Sequence, residues 1–288
     1  MATLSSWPLL YGNPTTQTRV SIARPPSLPF EDSDVLVLSS RSTLPDSLSV
    51  GGAVLYLDLR LFLPVVKTTS INWAFAGLRH TIPIVEEQEG AVRYRWEHMI
   101  DSHVSREPPD EGTMMTRIDD DGEEWEVETG VGLNPETGEM GPYEEVWKEQ
   151  NVPSGTPYAF LISSTNPYLS TRFMAVLGPH AMGLSQGGTE EESSPARCRG
   201  LGVFHAVRLK SDKLESLQGE SLHSNYETVF STGHNTLDGE LAALVDTLIA
   251  RQREGKEPWQ RGERVVLMKS REGKPWTWIV WDAGNVHC

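Results

Sequence analysis

Short runs of β-branched and aromatic residues recur along most of this chain, each closed by Gly, Pro, Asp or Asn. Runs of that length and composition suit extended strands, whose side chains alternate between two faces. "DVLVLSS", "AVLYLDLRLFL", "INWAFAGL" and "AVRYRWEHMIDSH" come first. "GTMMTRI", "DDDG" and "EEWEVETGVG" then read as a hairpin, since Asp121-Gly122 is a favoured hairpin turn. The fold class expected is all-β.

"QNVPSGTP" has the composition of a linker and divides the chain into residues 1–152 and 153–288. The second half echoes the first. "AFLISS" and "YLSTRFMAVLG" parallel "DVLVLSS" and "YLDLRLFL", with Arg172 where Arg60 stood. "GLGVFHAVRLK" and "SNYETVFSTGH" stand where "INWAFAGLRH" and "RYRWEHMIDSH" stood. Duplication of a whole domain follows, and each half has a size that suits a barrel of about eight antiparallel strands. The expected architecture is two tandem lipocalin-like barrels. One amphipathic helix over 239–254, with Leu241, Leu244, Val245, Leu248 and Ile249 on one face, lies across the second. Asp238 is its expected N-cap and Gly255 its stop. The polar segment from Gly187 to Gly200 reads as a loop.

The net charge of −15 argues against a nucleic-acid partner, because a phosphate backbone is bound by basic patches. Two cysteines, Cys198 and Cys288, are too few and too far apart for a disulfide framework or a zinc site. The first residues lack a basic start, and no run approaches the ~18 apolar residues of a spanning helix, so a cytoplasmic protein with no membrane association is expected. No phosphate loop or dinucleotide fingerprint occurs, and no cofactor is expected. "GLSQG" (Gly183 to Gly187) lacks the helix a nucleophile elbow needs, and "DDDGEE" has its Gly misplaced for a calcium loop.

The stretch from Arg93 to His103 alternates between unlike faces, with Tyr94, Trp96, His98, Ile100 and Ser102 on one of them. With Trp73 and Phe75 these rings can wall a pocket. His98 can give or take a proton near neutral pH, its tautomer set by a carboxylate from Asp101, Glu111, Glu128, Glu144 or Glu145. The bland alternative is a histidine that bonds a neighbouring strand. In "VLYLDLRLF" either Leu55, Leu57, Leu59 and Leu61 face inward, or Tyr56, Asp58, Arg60 and Phe62 do. The leucines are expected inside, because burying unpaired charge costs several kcal/mol. Were the mixed face inside, Asp58 and Arg60 would form a buried pair able to hold a carboxylate or an enolate.

The expected catalytic set is His98 as acid or base, Asp101 or Glu128 as its orienter and Arg60 as charge stabiliser. Tyr56, Trp73, Phe75, Tyr94, Trp96 and Tyr143 line the ligand site. In the second half His180, His205, Arg208, Tyr226 and His234 are candidate pocket groups, without metal-site spacing. Trp276 and Trp278 share one strand face and Trp281 takes the other, an arrangement for core filling, helix docking or ring stacking.

Several words in one order, Tyr56 to Arg60, Trp73 to Gly77, Trp96 to Ser102, Asp110 to Met114, Glu128 to Gly130, Asn134 to Gly138 and Tyr143 to Trp147, resemble the fungal Hri-type family. That family is named for a yeast protein that interacts with a casein kinase. The resemblance implies tandem lipocalin-like or nitrobindin-like barrels and a possible protein partner. Two readings of function follow. In the first, the barrel binds a small, largely apolar metabolite and catalyses its cofactor-independent isomerisation, cyclisation or dehydration in fungal secondary metabolism. In the alternative, it is a non-catalytic ligand-binding or protein-interaction protein.

Overall fold

In the computed structural model of the chain the strands assemble into two unlike units. The structure describes residues 7, 9–46, 49–66, 69–84, 89–103, 110–134, 137–187, 203–211, 226–233, 235–269 and 275–287. A short strand β1 (Leu10–Tyr11) runs beside β3. Strands β2 (Thr15–Ala23), β3 (Ser33–Thr43), β4 (Ala53–Phe62), β5 (Ile71–Ile82), β6 (Val92–Asp101), β7 (Asp110–Ile118), β8 (Glu124–Asn134) and β9 (Glu139–Gln150) each pair with the next, and β9 closes on β2. The result is a closed eight-stranded up-and-down barrel. Gly122, at φ +83, makes the turn between β7 and β8 that the Asp-Gly pair suggested.

The expected second barrel is not formed. Strands β10 (Pro157–Ile162), β11 (Arg172–Leu177), β12 (His180–Gln186), β13 (Phe204–Ser211) and β14 (Tyr226–Ser231) form a meander. Helix α1 (Asn235–Arg253) follows, and then β15 (Arg264–Lys269) and β16 (Pro275–Asn285), with β16 adding beside β10. Among the described residues β14 and β15 stand at the two edges of an open seven-stranded sheet and do not meet. The physical reason is that both faces of this sheet are covered. Ala159, Leu161, Met174, Val176 and Val207 pack on α1, while Phe160, Ile162, Phe173, Ala175 and Leu184 pack on the barrel wall. A sheet apolar on both faces is a middle layer, not a wall curled round an interior.

Helix α1, the one α-helix among the described residues, buries Leu237, Leu241, Leu244, Val245 and Leu248. It starts at Asn235, so Asp238 lies in the first turn instead of capping it, and its carboxylate accepts from Ser231 Oγ at 2.7 Å. Gly255, at φ +62, ends it as expected. Trp278 packs on the helix side of the sheet and Trp281 on the barrel side. The side chain of Trp276, the segment from 188 to 200, and Cys198, His234 and Cys288 lie outside the described residues.

The expectation for β4 is also reversed. Leu55, Leu57, Leu59 and Leu61 face outward, in one cluster with Leu36, Leu38, Phe160 and Phe173, so the leucines weld barrel to sheet. Tyr56, Asp58 and Arg60 face the barrel interior. The leucines gain full burial from the second layer, and the charges inside are paired, which removes the objection to burying them. Phe62, at the strand end, is exposed. Asp282, fully buried, accepts from Arg41 N at 2.9 Å and Arg41 Nη2 at 2.7 Å, a polar anchor in the same seam.

Candidate functional site

The barrel holds a cavity of about 870 Å³ that opens to solvent, and the register places its lining in rows. Ser39 lies opposite Tyr56, Tyr56 opposite Gly77, and Gly77 opposite His98, across β3 to β6. One row along, Val37, Asp58, Phe75 and Asp101 face each other in the same order. Between the two rows β6 carries one extra residue: Ala76 pairs with Ile100 and Gly77 with His98, so Met99 is bulged. The bulge changes the phase of the strand. Ile100 turns outward into the core beneath the sheet, and Asp101 turns inward beside His98.

His98 Nδ1 lies 2.7 Å from Asp101 Oδ2. That carboxylate also accepts Trp73 Nε1 at 2.8 Å and His103 N at 2.8 Å through Oδ1, while the Asp101 backbone is clamped by Gln186 from β12. In the neutral ring a carboxylate at Nδ1 assigns the hydrogen to that nitrogen and leaves the lone pair on Nε2. Among the described residues Nε2 has no hydrogen-bond partner, with Asp110 Oδ2 3.8 Å away. The imidazole stacks on Phe75 at 4.2 Å between ring centres, with Tyr56 and Trp73 edge-on.

Behind this dyad lies a network of paired charge. Arg60 Nη2 donates to Asp58 at 2.9 Å and Arg60 Nη1 to Glu145 at 3.2 Å, while Arg19 bridges Glu145 and Glu31. The Arg60 guanidinium also covers Trp73 at 4.8 Å and Phe75 at 5.5 Å. Burial disfavours the Glu145 carboxylate, but Arg60 and Arg19 outweigh it and hold its pKa below the ordinary value. The same carboxylates outweigh burial at Arg60 and raise its pKa.

Glu128 differs. Burial, then the charges of Glu145 and Asp110, push its pKa up to about 8, so it holds a proton at neutral pH. Tyr143 Oη donates to it at 2.7 Å. Burial likewise raises Asp110, against the pull of His98. Glu128 is therefore a neutral acid in the lining, and the carboxylate that contacts His98 Nδ1 is Asp101.

The structure gathers Tyr56, Arg60, Trp73, Phe75, Trp96, His98, Asp101, Glu128 and Tyr143 around one cavity. Tyr94 is half-buried outside that lining, packed against Val35, Val37, Met114 and Trp147 with Arg79 over its ring at 4.4 Å. Glu111 and Glu144, two further candidate orienters, pair with Arg93 and Arg117 instead. The candidates of the second half do not converge: Arg208 meets Asp34 at 3.0 Å, His180 meets Gln150 at 2.9 Å, Tyr226 bonds Gly178 O, and His205 neighbours Thr232. Ser185 of "GLSQG" lies within strand β12. Sequence reasoning missed Asp110, Arg19 and Ser39. The alternation in "TTQTRV" that puts Gln17 and Arg19 on one face was the available signal for a polar interior. Among the described residues no group of His, Cys, Asp and Glu is arranged to hold a metal ion, and no helix is long and apolar enough to cross a membrane.

Residues 15–234 match the family model described as Protein HRI1. Among solved structures the chain is similar to the uncharacterized protein YLR301w from Saccharomyces cerevisiae, at 16% identity and a TM-score of 0.53, over 94% of this chain and 99% of that one. At that identity the likeness speaks for the fold alone. No curated protein matches the chain.

Proposed function

The chain belongs to the HRI1 family, and we propose that its barrel binds a small organic molecule and moves a proton on it, with His98 Nε2 as the base. The observation that supports this reading is the His98–Asp101 pair at 2.7 Å, with the other ring nitrogen in the cavity lining, 3.8 Å from Asp110 and without a hydrogen-bond partner among the described residues. A stacked ring, an oriented imidazole and a walled cavity are what general base catalysis asks of a protein. Neutral Glu128 can return a proton, and Arg60 supplies positive charge next to the aromatic wall. The reaction class is cofactor-independent isomerisation, cyclisation or dehydration. The lining mixes rings with charges, so the ligand has an aromatic or aliphatic body carrying oxygen, not a purely apolar one. A cytoplasmic place in fungal secondary metabolism belongs to the same proposal.

A second reading, a non-catalytic binding or protein-interaction protein, draws on the pairing of Arg60 with Asp58 and Glu145, which can equally be a structural clasp. Mass spectrometry of small molecules released from purified protein, wild type and His98→Gln, separates the two. The enzyme reading expects the variant to retain a ligand that wild type converts. A variant that converts it as fast as wild type sinks that reading, and a protein that releases and takes up no small molecule sinks both ligand-binding readings.

A further inference from the structure

Two hydroxyls on the cross-strand row that leads to His98 have no hydrogen-bond partner among the described residues. Tyr56 Oη and Ser39 Oγ are both buried, with their residues 1% exposed, and both line the cavity. They occupy one cross-strand row with His98: Ser39 on β3, Tyr56 on β4, Gly77 on β5 and His98 on β6. Gly77 brings no side chain into that row, and the Tyr56 and His98 rings are 6.4 Å apart between centres. A buried hydroxyl without a partner is costly, so two on neighbouring strands of the row that holds His98 point to an acceptor that they share.

We propose that Tyr56 and Ser39 are the carbonyl-binding residues of the barrel, and that its ligand is an uncharged ketone or enone whose oxygen accepts from both hydroxyls. This rests on the reading of the barrel as a ligand site. The ligand is uncharged at this end because the carboxyls of Asp110, Asp58 and Asp101 all act on Tyr56, opposed by Arg79, and would repel a carboxylate or phosphate. Burial and those same carboxyls raise the Tyr56 pKa well above its ordinary value, so it remains a phenol and a donor.

The chemistry then balances without a co-reactant. His98 Nε2 takes a proton from the carbon next to the carbonyl, and the C–H electron pair becomes a C=C bond. The carbonyl π pair moves onto oxygen, where the two O–H donors hold it. In the enone the pair on oxygen re-forms the C=O, the C=C pairs shift along the dienolate, and the imidazolium returns the proton to its far carbon, which gives the isomer and restores the base. In a saturated ketone the proton returns to the carbon that lost it.

Three naphthalene probes of similar size test this on the full chain by tryptophan quenching: 2-acetylnaphthalene, 2-ethylnaphthalene and 2-naphthoate. The ketone is expected to bind tightest, with its C=O stretch lowered in the bound state. Tyr56→Phe is expected to weaken the ketone about ten-fold and return the stretch toward its free value, leaving the ethyl compound unaffected. Ser39→Ala, the gentler variant, weakens the ketone less. Equal binding of ketone and ethyl compound, or an unchanged stretch in both variants, overturns the assignment while the barrel remains a ligand site. Tightest binding by naphthoate overturns it in favour of an anion held by arginine. Failure of all three to bind overturns the reading of the cavity itself.

Discussion

A Cβ placed on Gly77 would meet the carbonyl oxygen of Glu97 at 1.9 Å and Met99 Sδ at 2.7 Å. The close approach is that of β5 to the bulge in β6, which turns Asp101 inward beside His98. Gly77→Ala must push a backbone carbonyl away, so the bulge cannot persist unchanged. A loss of about 1–3 kcal/mol is expected, the range of overpacking in a filled interior. Urea denaturation reads the loss, and the His98 ring NMR signals should move with it. A variant as stable as wild type with the same imidazole signals shows that the bulge does not depend on Gly77.

That bulge is also where the sequence was misread at the site. Strict alternation along Arg93 to His103 puts His98 with Ile100 and sets Asp101 on the opposite face, yet one extra residue at Met99 reverses the phase for everything after it. The all-β class, the helix and the ring-bearing residues were legible because each follows from local pattern. The direction of Leu55 to Leu61 was not, since a leucine face is equally content inside a barrel or under a second layer, and the layer is non-local information. The open sheet could have been suspected from "YAFLI" and "FMAVL", continuous apolar runs that suit a strand covered on both faces better than one facing water.

Asp101→Asn tests the tautomer. The wild-type carboxylate accepts only, which keeps the hydrogen on His98 Nδ1. An amide can donate instead, and the ring can then place its hydrogen on Nε2, removing the lone pair from the cavity. Nitrogen-15 NMR of the imidazole should show protonation at Nδ1 in wild type and a shift toward Nε2–H in the variant. Turnover of a copurifying ligand is expected to fall on the order of 10²–10⁴-fold with binding retained. An unchanged nitrogen spectrum removes Asp101 as the positioning residue.

Glu128 makes stability depend on pH with a definite sign. Its pKa rises from 4.5 to about 8 on folding, so between those values the folded state holds a proton that the unfolded state has lost. Stability therefore falls as pH rises through this window, by up to about 1.4 kcal/mol per unit. Glu128→Gln retains an acceptor for Tyr143 and cannot ionise. Urea midpoints at pH 5 and pH 8 should differ less in the variant than in wild type. An equal difference in both proteins places the pH dependence elsewhere.

Whether the barrel stands without the sheet decides if residues 1–152 are a domain in more than name. Leu36, Leu38, Leu55, Leu57, Leu59 and Leu61 are each fully buried, and all lie in the cluster shared with the sheet. Cutting the chain after 152 returns their outer face to water at about 1.5–3 kcal/mol for each side chain wholly exposed. That sum is comparable with the whole stability of an ordinary domain. The cut also leaves Arg41 without Asp282 and Asp101 without Gln186. The full chain is therefore expected to unfold in one cooperative transition, and the fragment 1–152 to associate or bind a hydrophobic dye. In the full chain Asp282→Ala is expected to cost about 1–3 kcal/mol and so lower the urea midpoint, because Arg41 N, Arg41 Nη2 and Tyr158 Oη lose their buried acceptor. A monomeric, dye-free fragment with the midpoint of the full chain would show that the leucine face is tolerated in water and that the two units are energetically independent.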